Sequence, residues 1–471
     1  MPDFDLIVIG AGAGGLSVTS GAAQLGLKVA LIERGRMGGD CLNVGCVPSK
    51  ALLAAAHAAE AMRNAGRFGV RVANPSVDWA AVRAYVQSVI AAIEPNDSEA
   101  RFRGLGATVI RGEARFAAPD AIAVNGQRLT ARRIVVATGT TAAVPPIPGL
   151  AAVPFLTNAN LFDLAEQPSH LVILGGGPIG LEMADAFAGL GSAVTIVQAG
   201  TIAAREDPEL AAVLRQALTQ RGVTIIEGAA VAAVEAGPVL VLDDGRRIAG
   251  SHLLVAAGRK PVFDGLGLDV AGVAVSRLGI ITDAGLRSTT NRRVFAAGDI
   301  ADPMGIGPRA FTHVAGYHAG IIIRRALFRL PARVDYTALP RVTYTSPELA
   351  QVGLTEAEAI AAGHAITVLR ASMTENDRAV AEGDTTGMVK LIVASGRVIG
   401  AGIVSANAGE MIGQWTLVIA SRTKLSRLAG LIAPYPTRSE AGKRAAGSAF
   451  TAALFSARTR ALVRFLTRLP W

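Results

Sequence analysis

The chain is poor in thiols: Cys41 and Cys46 are its only cysteines in 471 residues. A fold stapled by several disulfides is therefore excluded. A zinc site is disfavoured too, because two thiolates cannot close a tetrahedral shell and no histidine cluster stands beside them. Long apolar runs are also missing, and none approaches the ~20 residues that a helix needs to cross a bilayer. Aromatic residues make up only 5% of the chain, and no basic stripe is interleaved with them. That argues against nucleic acid as a partner, despite a formal net charge of +9. Much of the positive excess lies in the final segment. The chain enters an apolar, strand-like run at Phe4, which leaves no room for a secretory leader. A thiol pair without structural disulfides points to a reducing cytoplasm.

What is present in quantity is apolar surface (51% of residues) and glycine (53 residues). This composition reads as a tightly turned α/β protein, and the length implies two to four domains. Strand-like Leu6-Ile7-Val8-Ile9 runs into Gly10-Ala11-Gly12-Ala13-Gly14-Gly15, followed by a helix-like stretch. In such a loop Gly10 permits the tight turn, Gly12 lets backbone approach a pyrophosphate and Gly15 lets the helix pack close on the strand. The next strand, Val29-Ala30-Leu31-Ile32, ends at Glu33, where an acid can hold a ribose diol. The same grammar recurs downstream. Leu171-Val172-Ile173-Leu174 leads into Gly175-Gly176-Gly177-Pro178-Ile179-Gly180, a helix and the strand Val194-Thr195-Ile196-Val197. One duplicated βαβ unit thus supplies two dinucleotide sites.

The spacing of Cys41 and Cys46 alone leaves open a redox pair, a metal site and a chance pair of thiols. Their place just after the first glycine loop favours a two-electron relay, with FAD on that loop and a nicotinamide donor on the second. The second ribose strand ends at Gln198 and continues with Ala199 and Gly200. It offers neither the acid that favours NADH nor an arginine for a 2′-phosphate, and Arg205 is too far along to assign. NADH and NADPH both remain open.

Several motifs now carry a resemblance to the flavin-dependent pyridine nucleotide–disulfide oxidoreductases, the group holding dihydrolipoamide dehydrogenase, glutathione reductase and mercuric reductase. They are the cysteine stretch Gly38–Lys50, Ala137-Thr138-Gly139 with Pro145–Gly149, Ala257–Pro261, Ala296-Ala297-Gly298-Asp299 and Arg341–Glu348. The resemblance implies an α/β fold with two Rossmann-like dinucleotide-binding domains (FAD and NAD(P)) plus a C-terminal α+β dimerisation domain. Residues 1–150 and 270–335 would bind FAD, 151–269 would bind NAD(P), 336–450 would form the interface, and 451–471 would be a basic tail. It implies a homodimer in which each disulfide is completed by the partner's C-terminal segment.

By the same resemblance the FAD contacts would be Gly10, Gly12, Gly14, Gly15, Glu33, Gly39, Lys50, Ala114, Thr138, Gly139, Gly298, Asp299 and His313. The last is expected as a flavin-side residue of the interior. NAD(P) would meet Gly175, Gly177, Ile179, Gly180, Glu182, Gln198, Gly258 and Arg259. The helix-like run after Cys46 places that thiol at a helix N-terminus, where positive partial charge stabilises a thiolate, so Cys46 reads as the flavin-side sulfur. Cys41 reads as the outer, interchange thiol. Lys50 would lie near the flavin and pair with Glu182. A buried lysine–glutamate pair is costly, which argues for tuning rather than stabilisation.

One motif departs from the pattern. Family members that handle dithiols carry His-Pro-Thr-x-x-Glu near the C-terminus. Here the stretch is Ala433-Pro434-Tyr435-Pro436-Thr437-Arg438-Ser439-Glu440, with Glu440 kept and Tyr435 at the histidine position. A phenol with an ordinary pKa of about 10 is protonated at neutral pH and is a poor general base. Tyrosine here, and Arg205-Glu206-Asp207-Pro208, resemble mercuric reductase, but that enzyme's C-terminal cysteine pair has no counterpart in Arg468-Leu469-Pro470-Trp471.

Three functions follow as expectations. The first is an NAD(P)H-dependent flavoenzyme that reduces a disulfide, metal ion or other thiol-reactive acceptor. The others are a dihydrolipoyl dehydrogenase that tolerates Tyr435, and a low-turnover redox sensor or membrane-associated protein. From Leu454 to Leu469 the sequence alternates helically, with Leu454, Leu462, Phe465, Leu466 and Leu469 on one side and Arg460, Arg464 and Arg468 on another. Such a stripe suits an interfacial helix on anionic lipid, or a terminal helix packed on the preceding domain with a solvated arginine face.

Overall fold

A computed structural model describes residues 1–73 and 75–470. By contacts the chain divides into two units. One comprises residues 1–169, 233–240 and 249–335, and the other comprises 170–232, 241–248 and the chain from Tyr336 onward.

The first unit is built on a sheet whose parallel core runs Thr108–Arg111, Val29–Glu33, Phe4–Ile9, Gln127–Val136. Val294–Ala296 joins Gln127–Val136 in parallel, and the strands Ala121–Val124 and Arg115–Ala118 extend it antiparallel. The central strands hold continuous apolar runs, over residues 6–9, 29–32 and 134–136, rather than alternating ones, as strands covered on both faces do. Ile7, Val8, Leu31, Ile134 and Val135 are fully buried. Helix Ala13–Gln24 follows the first strand directly and packs against helix Thr312–Ile322.

In the second unit, Val223–Glu227, Ala193–Gln198 and His170–Leu174 pair in parallel, with helices Pro178–Gly189 and Pro208–Gln220 between them in sequence. Its C-terminal part is an antiparallel five-stranded sheet in the order Pro340–Thr343, Glu348–Gly353, Arg397–Ser405, Met388–Ala394, Ile366–Ser372. Buried Trp415, on helix Ala408–Ala420, anchors the core beneath it together with Ala441 and Ala445 of helix Glu440–Leu454. The fold is thus the expected pair of Rossmann-like parallel units with a C-terminal α+β part. No described helix is long and apolar enough to cross a membrane.

The basic tail is helical over Ala457–Leu466, and none of its residues is buried. The expectation of a helix packed on the preceding domain is corrected: within the chain its apolar side stays exposed. Trp471 lies outside the described residues.

Candidate active site

Both glycine loops close as their spacing requires. A Cβ on Gly15 would overlap the carbonyl oxygen of Gly10, and one on Gly180 would overlap that of Gly175, so each helix can sit on its strand only without a side chain there. Gly14 is buried at the start of its helix, with a Cβ position 3.4 Å from the Ala297 methyl.

Gly12 and Gly177 are different. Their φ values of −84° and −81° suit any residue. An added Cβ would meet nothing closer than 3.8 Å at Gly12 and nothing within 4 Å at Gly177. Packing within the protein does not demand glycine at either, whereas a phosphate lying on the backbone does. The loops therefore fit the pyrophosphates of two dinucleotides.

The duplication extends to hydrogen bonding. Glu33 Oε2 accepts from the Ala11 N–H at 2.6 Å, and Gln198 Oε1 accepts from the Gly176 N–H at 2.7 Å. Both side chains come from the last residue of the ribose strand and brace the loop at the same position. Glu33 Oε1 also accepts from the Gly35 N–H at 2.6 Å. Ile179, beside the second loop, is exposed.

The cysteines sit against the first loop. Gly39 takes φ +59°, its Cβ position would be 2.7 Å from Gly12 Cα, and the Gly38 N–H donates to Ala11 O at 2.9 Å. Backbone is thus stacked on backbone, and helix Gly39–Val44, carrying Cys41, starts from the nucleotide loop itself. Gly45 separates it from helix Cys46–Arg63, and a side chain there would come within 2.8 Å of Asp40 O. This glycine lets the two short ends fold together and brings the thiols into contact. The Cys41 thiol is pushed well above the ordinary range, first by its hydrogen bond with Cys46 and then by burial.

Cys46 begins an 18-residue helix, as expected, and its Sγ lies 3.2 Å from Thr312 Oγ1. Thr312 also bonds Cys41, drawing that thiol's pKa the other way. Cys46 is exposed and Cys41 only partly so, so exposure alone does not rank Cys41 as the outer thiol. Lys50 stands one helical turn after Cys46, on the same face, with Nζ donating to Ser49 Oγ at 3.4 Å.

A second cluster surrounds Asp299, in the turn Gly298–Ile300. Burial raises its carboxyl pKa against the pull of Thr140, whose hydroxyl donates to Asp299 Oδ2 at 2.8 Å. Arg259 belongs to this cluster. Its Nε donates to Thr140 Oγ1 at 2.7 Å, and its Nη2 reaches Asp40, next to Cys41. Strand Arg259–Pro261 pairs antiparallel with Thr140–Ala142, which explains why a residue expected at the nicotinamide site is turned toward Asp299. Gly258 O accepts from the Ala143 N–H, Gly139 O accepts from the Val262 N–H, and Thr138 Oγ1 donates to Val262 O. Ala114 is buried.

His313 needs correction. It is exposed and stacked on Phe311, because the buried face of helix Thr312–Ile322 is formed by Val314, Ala315, His318, Ala319, Ile321 and Ile322. The interior histidine is His318, whose Nδ1 accepts from the Gly298 N–H at 3.1 Å. Burial lowers its pKa to about 4. Thr140, Asp40, Thr312 and His318 all escaped the sequence reading. Only His318 left a trace, as the second histidine of a helix whose periodicity puts one of the two inside.

In the second unit Glu182 is buried and accepts from the Tyr344 N–H at 3.1 Å. Glu206 pairs with Arg341 and Asp207 caps helix Pro208–Gln220, so Arg205–Pro208 is a structural junction. Glu440 opens helix Glu440–Leu454. Tyr435 is exposed, and its hydroxyl donates to Asp377 Oδ2 at 2.8 Å. That bond and the Asp377 charge hold the phenol above its ordinary range. Among the described residues no group of three or more histidine, cysteine or acidic side chains could hold a metal ion.

Residues 4–357 match the family model described as pyridine nucleotide-disulphide oxidoreductase, and residues 339–446 match its dimerisation domain. Mercuric reductase from Streptomyces lividans is 37% identical over 462 residues, covering 94% of this chain and 95% of that protein. Dihydrolipoyl dehydrogenase from Geobacillus stearothermophilus is 33% identical, covering 94% and 96%. The Cu(II) complex of the HOCl-induced flavoprotein disulfide reductase RclA from Escherichia coli superimposes with a TM-score of 0.82 at 30% identity, covering 92% of this chain and 98% of that one. Duplicated loops, a thiol pair built onto the first of them and a C-terminal dimerisation sheet place this chain in the pyridine nucleotide-disulphide oxidoreductase family, enzymes that act on sulfur with FAD and NAD(P)H.

Proposed function

We propose that the protein is a homodimeric, cytoplasmic NAD(P)H oxidoreductase that uses Cys41 and Cys46 to reduce a disulfide, a metal ion or another thiol-reactive acceptor. Residues 1–150 and 270–335 would serve FAD, 151–269 the nicotinamide and 336–450 the dimer contact. Bound FAD supplies hydride acceptance from the nicotinamide and delivery of the electron pair to sulfur. The chain's residues hold the cofactor's phosphates at Gly12 and position the thiols against that loop. The Cys46 thiolate is stabilised by its helix N-terminus, while Cys41 keeps the shared proton. The pair, holding that one proton, then gives two electrons to the acceptor, closes to a disulfide and releases the proton from Cys41.

The observation that favours acceptor reduction over dihydrolipoamide oxidation is the Tyr435–Asp377 hydrogen bond. A phenol whose proton is committed to a carboxylate, and whose pKa is raised by it, does not take a proton from an incoming dithiol at neutral pH. The similarity to mercuric reductases and to a Cu(II)-bound disulfide reductase supports metal ions among the acceptors to be tried.

The test is anaerobic reduction with NADH and NADPH in parallel, followed by a screen of lipoamide, glutathione disulfide, Hg(II), Cu(II) and quinones. Cys46→Ser should keep FAD but lose turnover with every thiol-reactive acceptor. Dihydrolipoamide oxidation should lie near background in the native protein and rise about tenfold or more in Tyr435→His, the general-base range being roughly 10²–10⁴. Brisk oxidation by the native protein would overturn the reading in favour of a dihydrolipoyl dehydrogenase.

A further inference from the structure

Among the described residues of the chain nothing buries any residue of helix Ala457–Leu466. Phe455, Leu462, Val463, Phe465, Leu466 and Leu469 are each 48–61% exposed. On helix Ala457–Leu466 the side chains of Leu462, Phe465 and Leu466 fall within an arc of roughly 100°, while Arg460 and Arg464 occupy the opposite flank. Arg458, in the first turn, falls on the apolar side by the same spacing, with a stem long enough to carry its charge past it; Arg468 follows the helix, and no Asp or Glu occurs anywhere after Glu440. The segment also lies beyond Ala446, where the match to the dimerisation domain ends.

Three arguments choose the occupant. A ten-residue helix is about 15 Å long, half of what a bilayer core requires, so it can lie on a membrane but not cross one. One face of such a helix falls well short of the ~800 Å² per partner of an ordinary protein interface. A second copy of the tail would set arginines against arginines, with no acid to receive them. An anionic surface that accepts apolar side chains without a shaped pocket satisfies both faces at once. We propose that helix Ala457–Leu466 docks on an anionic lipid bilayer, with Leu462, Phe465 and Leu466 in the headgroup layer and the arginines against lipid phosphates.

The experiment floats the purified FAD-bound protein with vesicles of phosphatidylcholine alone or with one third phosphatidylglycerol. Flotation is expected only with the anionic vesicles and should fall as salt is added. Arg460→Gln/Arg464→Gln should weaken partition by about fivefold per charge removed. Leu462→Glu/Phe465→Glu should abolish it. Neither double variant should change FAD content or the rate of flavin reduction by NAD(P)H, which separates a failure here from a failure of the redox reading. Equal flotation of native protein and the Leu462/Phe465 variant, or none at low salt, overturns the proposal. So does a loss of mass by light scattering in that variant, which would show the face covered by a second copy.

Discussion

His318 shows how one buried side chain braces the turn Gly298–Ile300 from the inside. Its ring is fully buried, and Nδ1 accepts the Gly298 N–H, which requires a neutral imidazole. Protonation would remove that acceptor and place a charge in the interior, so burial holds the folded pKa at about 4 against an ordinary 6.5. The sign follows from the depressed value. Above pH 6.5 the contribution to stability is complete, and between about 6.5 and 4 the unfolded chain binds a proton that the folded chain refuses. Stability should therefore fall on acidification across that window, by on the order of 3 kcal/mol. Denaturant titrations at a series of pH values should show the decline, and His318→Gln should flatten it. A variant that retains the native slope would show that other groups cause it.

The two glycine loops allow a dissection that single residues do not. Gly15 and Gly180 occupy equivalent places in the duplicated unit, and each is excluded from bearing a Cβ by the carbonyl of the glycine that opens its own loop, Gly10 or Gly175. Replacing either with alanine must push a helix off its strand, a strain of about 1–3 kcal/mol that falls on one nucleotide site only. Gly15→Ala should be purified with depleted FAD. Gly180→Ala should keep full flavin and show a KM for NAD(P)H raised about 10- to 100-fold. Flavin content and steady-state kinetics read the two outcomes directly, and loss of FAD from Gly180→Ala would refute the division of labour between the loops.

In the molecule as a whole, Lys390 on the five-stranded sheet ties that sheet to the start of helix Pro208–Gln220. Its nearly buried ammonium lies 2.8 Å from Asp207, 2.8 Å from Glu209 and 2.7 Å from Glu356. Arg370 adds a second cation and, with Lys390, holds the Glu209 carboxyl at about 2. Lys390→Ala would strand Asp207, itself nearly buried, and should cost about 3–5 kcal/mol in thermal or chemical denaturation. A cost under about 1 kcal/mol would mean the cluster behaves as a solvated surface pair. None of this was legible along the chain, since Asp207 and Lys390 lie 183 positions apart. The strands, both glycine loops, the helix after Cys46 and the tyrosine at the histidine position were legible, because each is a pattern of neighbours whose sterics or titration act locally. Contacts between distant segments were decided elsewhere: Arg259 turned toward Asp299, His318 rather than His313 inside, Tyr435 bound to Asp377 and a tail left bare. In each case packing chooses which of several chemically suitable side chains meets a partner, and that choice has no periodicity to betray it.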